Sequence, residues 1–394
     1  MKPNNAILAT YAVSLAVLSL SAREILSDIS IARIAILLSI LSGAYAALPK
    51  NKDSKFKDLK TKIDSRESLV AILIVSTTIA TPYFLGRLLS SYPGTLFSFD
   101  FIFLFPIIAL ATPYYLALQW KITGERSFCN RIIEVTKKRE KIPKKDAVQF
   151  LLMWTVKIIF IPLMYFWSTT TTTALLNFNW TFSPEKIASG LFIIGLSIDL
   201  LIGISGYLLS SKIFKSEIIS TDTYWLGWLS CLICYPPLLY FLQLASAQTD
   251  STTWNNYFDA SQPMYWVWAT ILSCSWIAYW ASTLNFGIRF SNLSWRGLVD
   301  TGLYKYTKHP AYISKNLYWW MYTIPFIGAE TWLETTRNIL GMTTLSLIYL
   351  LRAKTEERHL LQFEEYQEYS RKIEAQGIIS KIKGKTKSAL KTLK

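Results

Sequence analysis

Long apolar runs separated by short polar loops dominate the chain. Ten runs are long enough to cross a bilayer, which takes roughly 17–25 residues as a helix. They cover 5–21, 29–48, 68–90, 99–120, 149–168, 187–210, 223–245, 264–286, 311–328 and 337–352. The first and the last two are the shortest. The run at 5–21 reads as a retained helix rather than a signal peptide, because a lone Lys2 precedes it and a second apolar run follows at once. The pattern predicts an all-α, polytopic transmembrane bundle of about ten spans.

Charge along the loops sets an orientation. Segment 50–67 carries seven lysines and arginines and 121–145 carries nine, whereas 91–98, 169–185 and 246–263 carry none. Basic loops stay in the cytosol, so ten spans with both ends cytosolic satisfy every loop. Segment 121–148 reads as a basic interfacial helix. After Arg352 the pattern becomes amphipathic, with Leu360, Phe363, Tyr366 and Ile373 near one helical face. Residues 381–394 carry six lysines and no acid, a tail suited to anionic lipid. The expected organisation is an eight-span membrane region over 1–286 with no assigned chemistry. A catalytic region over 287–375 and a basic tail over 376–394 follow it.

Composition sharpens this picture. Hydrophobic residues make up 52% of the 394, aromatics 15% and charged residues only 17%. That balance belongs to a multi-pass membrane protein with interfacial aromatic belts. The net charge of +15 sits in alternate loops, so its expected partners are membrane lipids and no nucleic acid. The four cysteines make no framework. Cys231 and Cys234 form a C-x-x-C pair inside an apolar run, without a second pair or a neighbouring histidine, so no metal is expected.

Candidate chemistry gathers near the C-terminus. Only two histidines occur, His309 and His359, and the first lies in "YKYTKHPAY". Pro310 suits the first turn of a helix, which puts His309 at a helix N-terminus where unpaired N–H groups favour a carboxylate or phosphate. Tyr312, Asn316 and Trp320 follow at helical spacing on the same face as His309. A polar aromatic stripe of this kind fits a bundle interior with a ligand, or an interfacial belt with a snorkelling Lys315. In "RAKTEE", Arg352 and Glu356 lie one turn apart where the last run ends, either as a surface ion pair or as an intramembrane functional cation. Upstream, Gly297 and Gly302 flank a short polar turn. Together these elements suit a zwitterionic small molecule with cationic and aromatic parts.

The combination "GLYKYTKHPAY" and "RAKTEERHLLQFEEYQEY" resembles the isoprenylcysteine carboxyl methyltransferase-like membrane enzymes, which are related to phospholipid methyltransferases. The matching positions are Gly302, Tyr304, Lys308, His309, Pro310, Tyr312, Arg352, Glu356, Glu357, Leu360, Tyr366 and Tyr369. The likeness covers roughly 289–372. It implies S-adenosyl-L-methionine as cofactor, held by Gly297, Leu298, Val299, Tyr304, His309, Pro310, Ala311, Tyr312 and Glu356. It also implies Arg352 facing the methyl acceptor, with Glu357 as a second candidate catalytic group. Two positions depart from the pattern. Lys308 stands where arginine is commoner, and Arg296 occupies the place of a polar cofactor contact that is often histidine.

The function expected is a membrane-embedded S-adenosylmethionine-dependent methyltransferase acting on a lipid or lipidated acceptor. The cationic Arg352 favours an anionic acceptor, of the carboxylate type or the phosphate of a head group. The site would face the cytosol, from a bacterial plasma membrane or from the endoplasmic reticulum of a eukaryote. Two alternatives stand beside it. One is an NADPH-dependent sterol-type membrane reductase, which shares an H-P-x-Y motif. The other is a non-catalytic transporter or lipid scaffold.

Overall fold

The computed structural model describes residues 2–49, 65–88, 100–124, 133–134, 137, 143–181, 183–247 and 253–377. In chain order the helices are α1 (Pro3–Ser21), α2 (Asp28–Ala47), α3 (Ser65–Leu88), α4 (Asp100–Thr123), α5 (Lys144–Leu176) and α6 (Pro184–Leu208). They continue as α7 (Trp225–Leu232), α8 (Leu239–Ser246), α9 (Trp254–Tyr257), α10 (Pro263–Phe286), α11 (Pro310–Thr323), α12 (Trp332–Leu360) and α13 (Glu364–Gln376). The only sheet among the described residues is the antiparallel pair β1 (Ser220–Thr221) and β2 (Ser294–Trp295). The fold is all-α and of membrane type. Among the described residues α1, α2, α5 and α6 are long and apolar enough to cross a bilayer.

Three expected spans take other forms. The run at 223–245 is two helices of eight residues, α7 and α8, separated by Tyr235-Pro236-Pro237-Leu238. A proline has no N–H to give to the preceding turn, and two in succession stop the helix. The run at 311–328 contributes only the 14 residues of α11, about 21 Å of helix against a hydrocarbon core of about 30 Å. It stops at Ile324, which turns left-handed at φ +44 just before Pro325, where the proline ring disfavours the α conformation. The run at 337–352 belongs to the 29-residue α12. Its start is fixed by a capping box between Thr331 and Glu334, and it carries on through the charged "RAKTEE". The chain then breaks at 361–363 before α13, so the amphipathic C-terminal pattern is one helix end and one separate helix. Most of the basic segments 50–67 and 121–145, the loop 91–98, part of 246–263 and the tail from 378 lie outside the described residues.

The chain divides into two compact units. The first comprises Met1–Thr173, Leu200–Thr221 and Gly287–Arg296. Here α1 and α2 form an antiparallel hairpin sealed by Ile7, Ile31, Ala32, Ala35 and Ile36, all essentially without solvent exposure. Tyr11 and Thr172 share a buried hydrogen bond of 2.6 Å. Phe160 stacks on Tyr207 at 5.4 Å, and the Tyr207 hydroxyl accepts from Asn292. Arg296 is 5% exposed, and its guanidinium donates to the carbonyls of Gly206, Ser216 and Phe290. A buried guanidinium is costly unless its donors are satisfied. Three carbonyls accept from it, so Arg296 acts as a backbone staple.

The second unit comprises Ala174–Asp199, Asp222–Phe286 and Gly297–Lys394. Its larger core is aromatic: Trp254, Tyr265, Leu272, Trp276, Tyr318 and Ile324 pack together, with Phe192 stacked on Trp276 at 4.4 Å. Indole N–H groups tie this core to backbone, Trp276 to the Phe192 carbonyl and Trp268 to the Met321 carbonyl. Buried tryptophans contribute large apolar area while their one donor finds an acceptor. A second cluster, Leu242, Met342, Leu345 and Tyr349, packs α8 against α12. Between them runs α11, which carries the polar stripe.

Candidate functional site

The site is built where α11 begins and α12 ends. His309 is the N-cap of α11, with Pro310 at the first helical position as the sequence predicts. The His309 side chain makes no capping bond to the first turn. Its Nε2 instead meets Glu357 Oε1 at 2.8 Å. Glu357 Oε2 lies 3.2 Å from Lys308 Nζ, so adjacent side chains of one segment grip both oxygens of one carboxylate on α12. Burial pushes Glu357 up, but the hydrogen bond and charge of His309 and the charge of Lys308 outweigh it. The carboxyl is left at about 2, well below the usual carboxylate range.

Lys308 uses its three donors as a point charge can. They reach Glu357 at 3.2 Å, Ser370 Oγ at 3.2 Å and Glu374 at 2.9 Å. Burial pulls Lys308 down, and the hydrogen bond to Glu374 and the charge of Glu357 more than reverse it, holding the ammonium charged. Lysine in place of arginine therefore fastens α13 to the start of α11. Tyr369 adds a second fastening, its hydroxyl donating to the Tyr304 carbonyl at 2.8 Å. Tyr366, Tyr369, Ser370 and Ile373 form the buried face of α13.

One turn into α11, Tyr312 links the two remaining charges. Its hydroxyl donates to Glu356 Oε2 at 2.8 Å. Its ring lies 5.5 Å from the Arg352 guanidinium carbon, stacks on Tyr349 at 6.3 Å and stacks on His309 at 5.6 Å. Arg352 also sits 5.7 Å from the Tyr235 ring and shares a side-chain hydrogen bond with Tyr235. Tyr312 thus touches both residues, Arg352 through its ring and Glu356 through its hydroxyl.

The remaining sequence candidates divide. Tyr304 is buried in a short 3-10 turn, Gly302–Lys305, edge-on to Phe286 at 5.1 Å. Burial pushes its hydroxyl well up, and the negative charge of Glu356 adds to this, so Tyr304 and Glu356 feel one another. Gly302 makes this turn possible, with φ +58 and a missing Cβ that would lie 2.3 Å from the Asn285 side chain. Pro310 is buried and Ala311 half-buried in the first turn of α11. Gly297, in a bend at φ +96, Leu298 and Val299 are half-buried and lead to that turn. No hydrogen bond of theirs joins them to the His309–Glu357 cluster among the described residues.

Several contributors escaped the sequence reading. Asp222, 2% exposed, pairs with Arg358 at 2.9 Å, and Arg358 stacks 3.7 Å above the Tyr224 ring. Asp199 of α6 accepts from Tyr279 at 2.9 Å and from Thr283 at 2.6 Å, both on α10. Lys315 lies 4.7 Å over the Tyr279 ring and donates to its hydroxyl at 3.4 Å. Asp199 and Lys315 are lone charges in apolar runs, a signal that was available; their partners sit 80 and 36 residues away and were not.

A family model described as a protein of unknown function (DUF1295) matches residues 238–373. That stretch begins in the break between α7 and α8 and contains His309, Tyr312, Lys315, Arg352, Glu356 and Glu357. No curated protein and no solved structure matches the chain. What the chain is similar to is thus a family without an assigned activity, over the part that carries the site.

Proposed function

We propose that the protein is a membrane-embedded S-adenosylmethionine-dependent methyltransferase acting on a lipid or lipidated acceptor at an anionic group. The observation that supports it most is the division of charge around Tyr312. A carboxylate, Glu356, is held by the hydroxyl on one edge, and a cation, Arg352, lies against the ring.

The residues fit the cofactor. Glu356 has one oxygen bonded to Tyr312 and an ammonium is the natural partner for the other. The first turn of α11, left uncapped by His309, offers N–H groups to a carboxylate. The faces of Tyr312 and Tyr349 suit a sulfonium. When bound, S-adenosylmethionine would supply an electrophilic methyl group. The chain's own work is positioning, which accounts for most of the barrier lowering in such a displacement. Glu357, engaged by Lys308 and His309, is a poor base and serves to orient the His309 ring. Arg352, resting on the rings of Tyr235 and Tyr312, would face the acceptor. An anionic acceptor is already nucleophilic, so no residue has to remove a proton.

The test is calorimetry on the purified full-length protein with S-adenosylmethionine and with NADPH. Binding of the first, weakened by His309→Ala and by Glu356→Ala, supports the proposal. Binding of NADPH alone would replace it with the reductase reading.

A further inference from the structure

The first unit holds a lone cation in an apolar helix. Lys157 lies on α5, which runs antiparallel to α6. Met164 packs on Gly203, Phe160 stacks on Tyr207, and Lys157 reaches Ser210, two residues past the end of α6. The half-buried ammonium donates to the Ser210 carbonyl at 3.3 Å and lies 5.0 Å from the centre of the Trp154 ring. Among the described residues it makes no ion pair. An ammonium has three donors, so two remain.

Two more polar groups end in the same place. The Trp154 indole N–H and the Ser210 hydroxyl are buried without a hydrogen-bond partner among the described residues. Trp154 carries the ring that Lys157 lies over, and Ser210 carries the carbonyl that Lys157 bonds, so both groups are the ammonium's immediate neighbours. Buried donors without acceptors are costly. A second cation adds to the field. Arg296 donates to the Ser216 carbonyl, and the Ser216 hydroxyl donates to the carbonyl of Leu209, next to Ser210. The partners of Arg296 are carbonyls, not carboxylates. A place ringed by donors and positive charge fits a ligand that only accepts and is negative.

We propose that Trp154, Lys157 and Ser210 hold the phosphate of an anionic phospholipid where α5 meets the end of α6. A phosphate is tetrahedral and offers separate oxygens to the ammonium, the indole N–H and the hydroxyl. The lipid source follows from the surroundings. Both helices are long and apolar enough to cross a bilayer, which brings the end of α6 to head-group depth. Leu151, one turn before Trp154, and Leu208, the last residue of α6, are exposed and suit acyl chains. Lys157 and Arg296 repel the quaternary ammonium of a choline head group and leave the neutral glycerol of phosphatidylglycerol unopposed. None of these residues belongs to the methyltransferase reading, so the proposal does not depend on it.

The test is native mass spectrometry of the full-length protein in detergent. The probes are phosphatidylglycerol, phosphatidylcholine of the same chains and inorganic phosphate. Phosphatidylglycerol should be retained better than phosphatidylcholine. Lys157→Met should lower its retention about tenfold, the worth of one charge-assisted hydrogen bond. Trp154→Phe keeps the ring under the ammonium and removes only the N–H, so it should lower retention by a smaller factor, and it decides the matter should Lys157→Met fail to fold. Lys212→Met, on the exposed loop nearby and paired with Glu217, is the control for charge alone and should leave retention unchanged. Equal retention of the two lipids by the unaltered protein overturns the proposal without any variant. Retention unmoved by Lys157→Met and Trp154→Phe, or lowered as much by Lys212→Met, overturns the site. Inorganic phosphate competing as well as phosphatidylglycerol overturns the lipid source.

Discussion

His309 and Glu357 lie 2.8 Å apart across 48 residues of sequence, and Lys308 closes on the other oxygen of the same carboxylate. The bond joins the first residue before α11 to the last turn but one of α12. Glu357 is depressed to about 2 from an ordinary 4.5, so the folded state holds the proton less tightly than the unfolded chain. Its contribution to stability is complete above pH 4.5 and is lost as pH falls toward 2.

Glu357→Gln should therefore lower the melting temperature near neutral pH by a few degrees, after allowance for solvent screening of a partly exposed pair. The gap between the two proteins should narrow as pH falls below the ordinary carboxylate range. Melting curves in detergent at pH 7, 5 and 3 decide it. A gap that stays constant over that range would mean that the carboxylate's charge is not what joins the two helices.

His359 predicts a second acid effect with the same sign. It is 3% exposed beside Phe363, and burial pulls its pKa below the ordinary imidazole value. A neutral buried imidazole stabilises fully above the unfolded pKa of about 6.5 and loses that contribution as pH falls below it. His359→Phe should flatten the fall in melting temperature between pH 7 and 5 relative to the unaltered protein. An identical slope in the two would remove His359 from the acid response.

Tyr312 carries two functions that separate by substitution. Tyr312→Phe keeps the ring against Arg352 and Tyr349 but removes the donor to Glu356. Losing one charge-assisted hydrogen bond corresponds to roughly a tenfold change. Affinity for S-adenosylmethionine should fall by about that factor in calorimetry, with turnover at saturating cofactor little altered. Tyr312→Ala should also cost turnover, because Arg352 loses the face it rests on.

What the sequence disclosed follows from the range of the forces involved. Local signals were legible: Pro310 fixed the start of α11, and apolar runs marked α1, α2, α5 and α6. Charges at helical spacing were legible as neighbours, but what they meet on other helices was not. Arg352 and Glu356 sit four apart, and Tyr312, from another helix, contacts both. Length alone overstated the runs at 223–245 and 311–328, where Pro236, Pro237 and Pro325 end helices that hydropathy continues. Spacing left the role of Arg296 open because it is blind to the three carbonyls contributed by 206, 216 and 290.

The clasp of α13 is open to proteolysis. Lys308 bonds Ser370 and Glu374, and Tyr369 bonds the Tyr304 carbonyl. Lys308→Met removes the first set while keeping the stem. The double variant Lys308→Met, Tyr369→Phe removes both. Cleavage near 361–363 should quicken stepwise across the unaltered, single and double proteins. Equal rates would show that the apolar face of α13, with Tyr366 and Ile373, holds the helix without these bonds.

Arg352 gives the sharpest division between cofactor and acceptor. It lies one turn before Glu356 in α12 and rests on Tyr235 and Tyr312. If the anionic acceptor binds there, Arg352→Ala should leave S-adenosylmethionine affinity within about twofold and lower methyl transfer by about 10²-fold or more, the effect of a lost buried charge pair. Arg352→Lys should recover only part of that loss, because an ammonium keeps the charge but cannot present a planar pair of donors. The stacking on both tyrosines would weaken at the same time. Calorimetry for the cofactor and a radiolabelled methyl-transfer assay with lipid extract for turnover separate the two quantities. Collapse of cofactor affinity with normal turnover per bound cofactor would make Arg352 a support for Tyr312 and Glu356, and an amine-bearing lipid would then fit the site better than an anionic one.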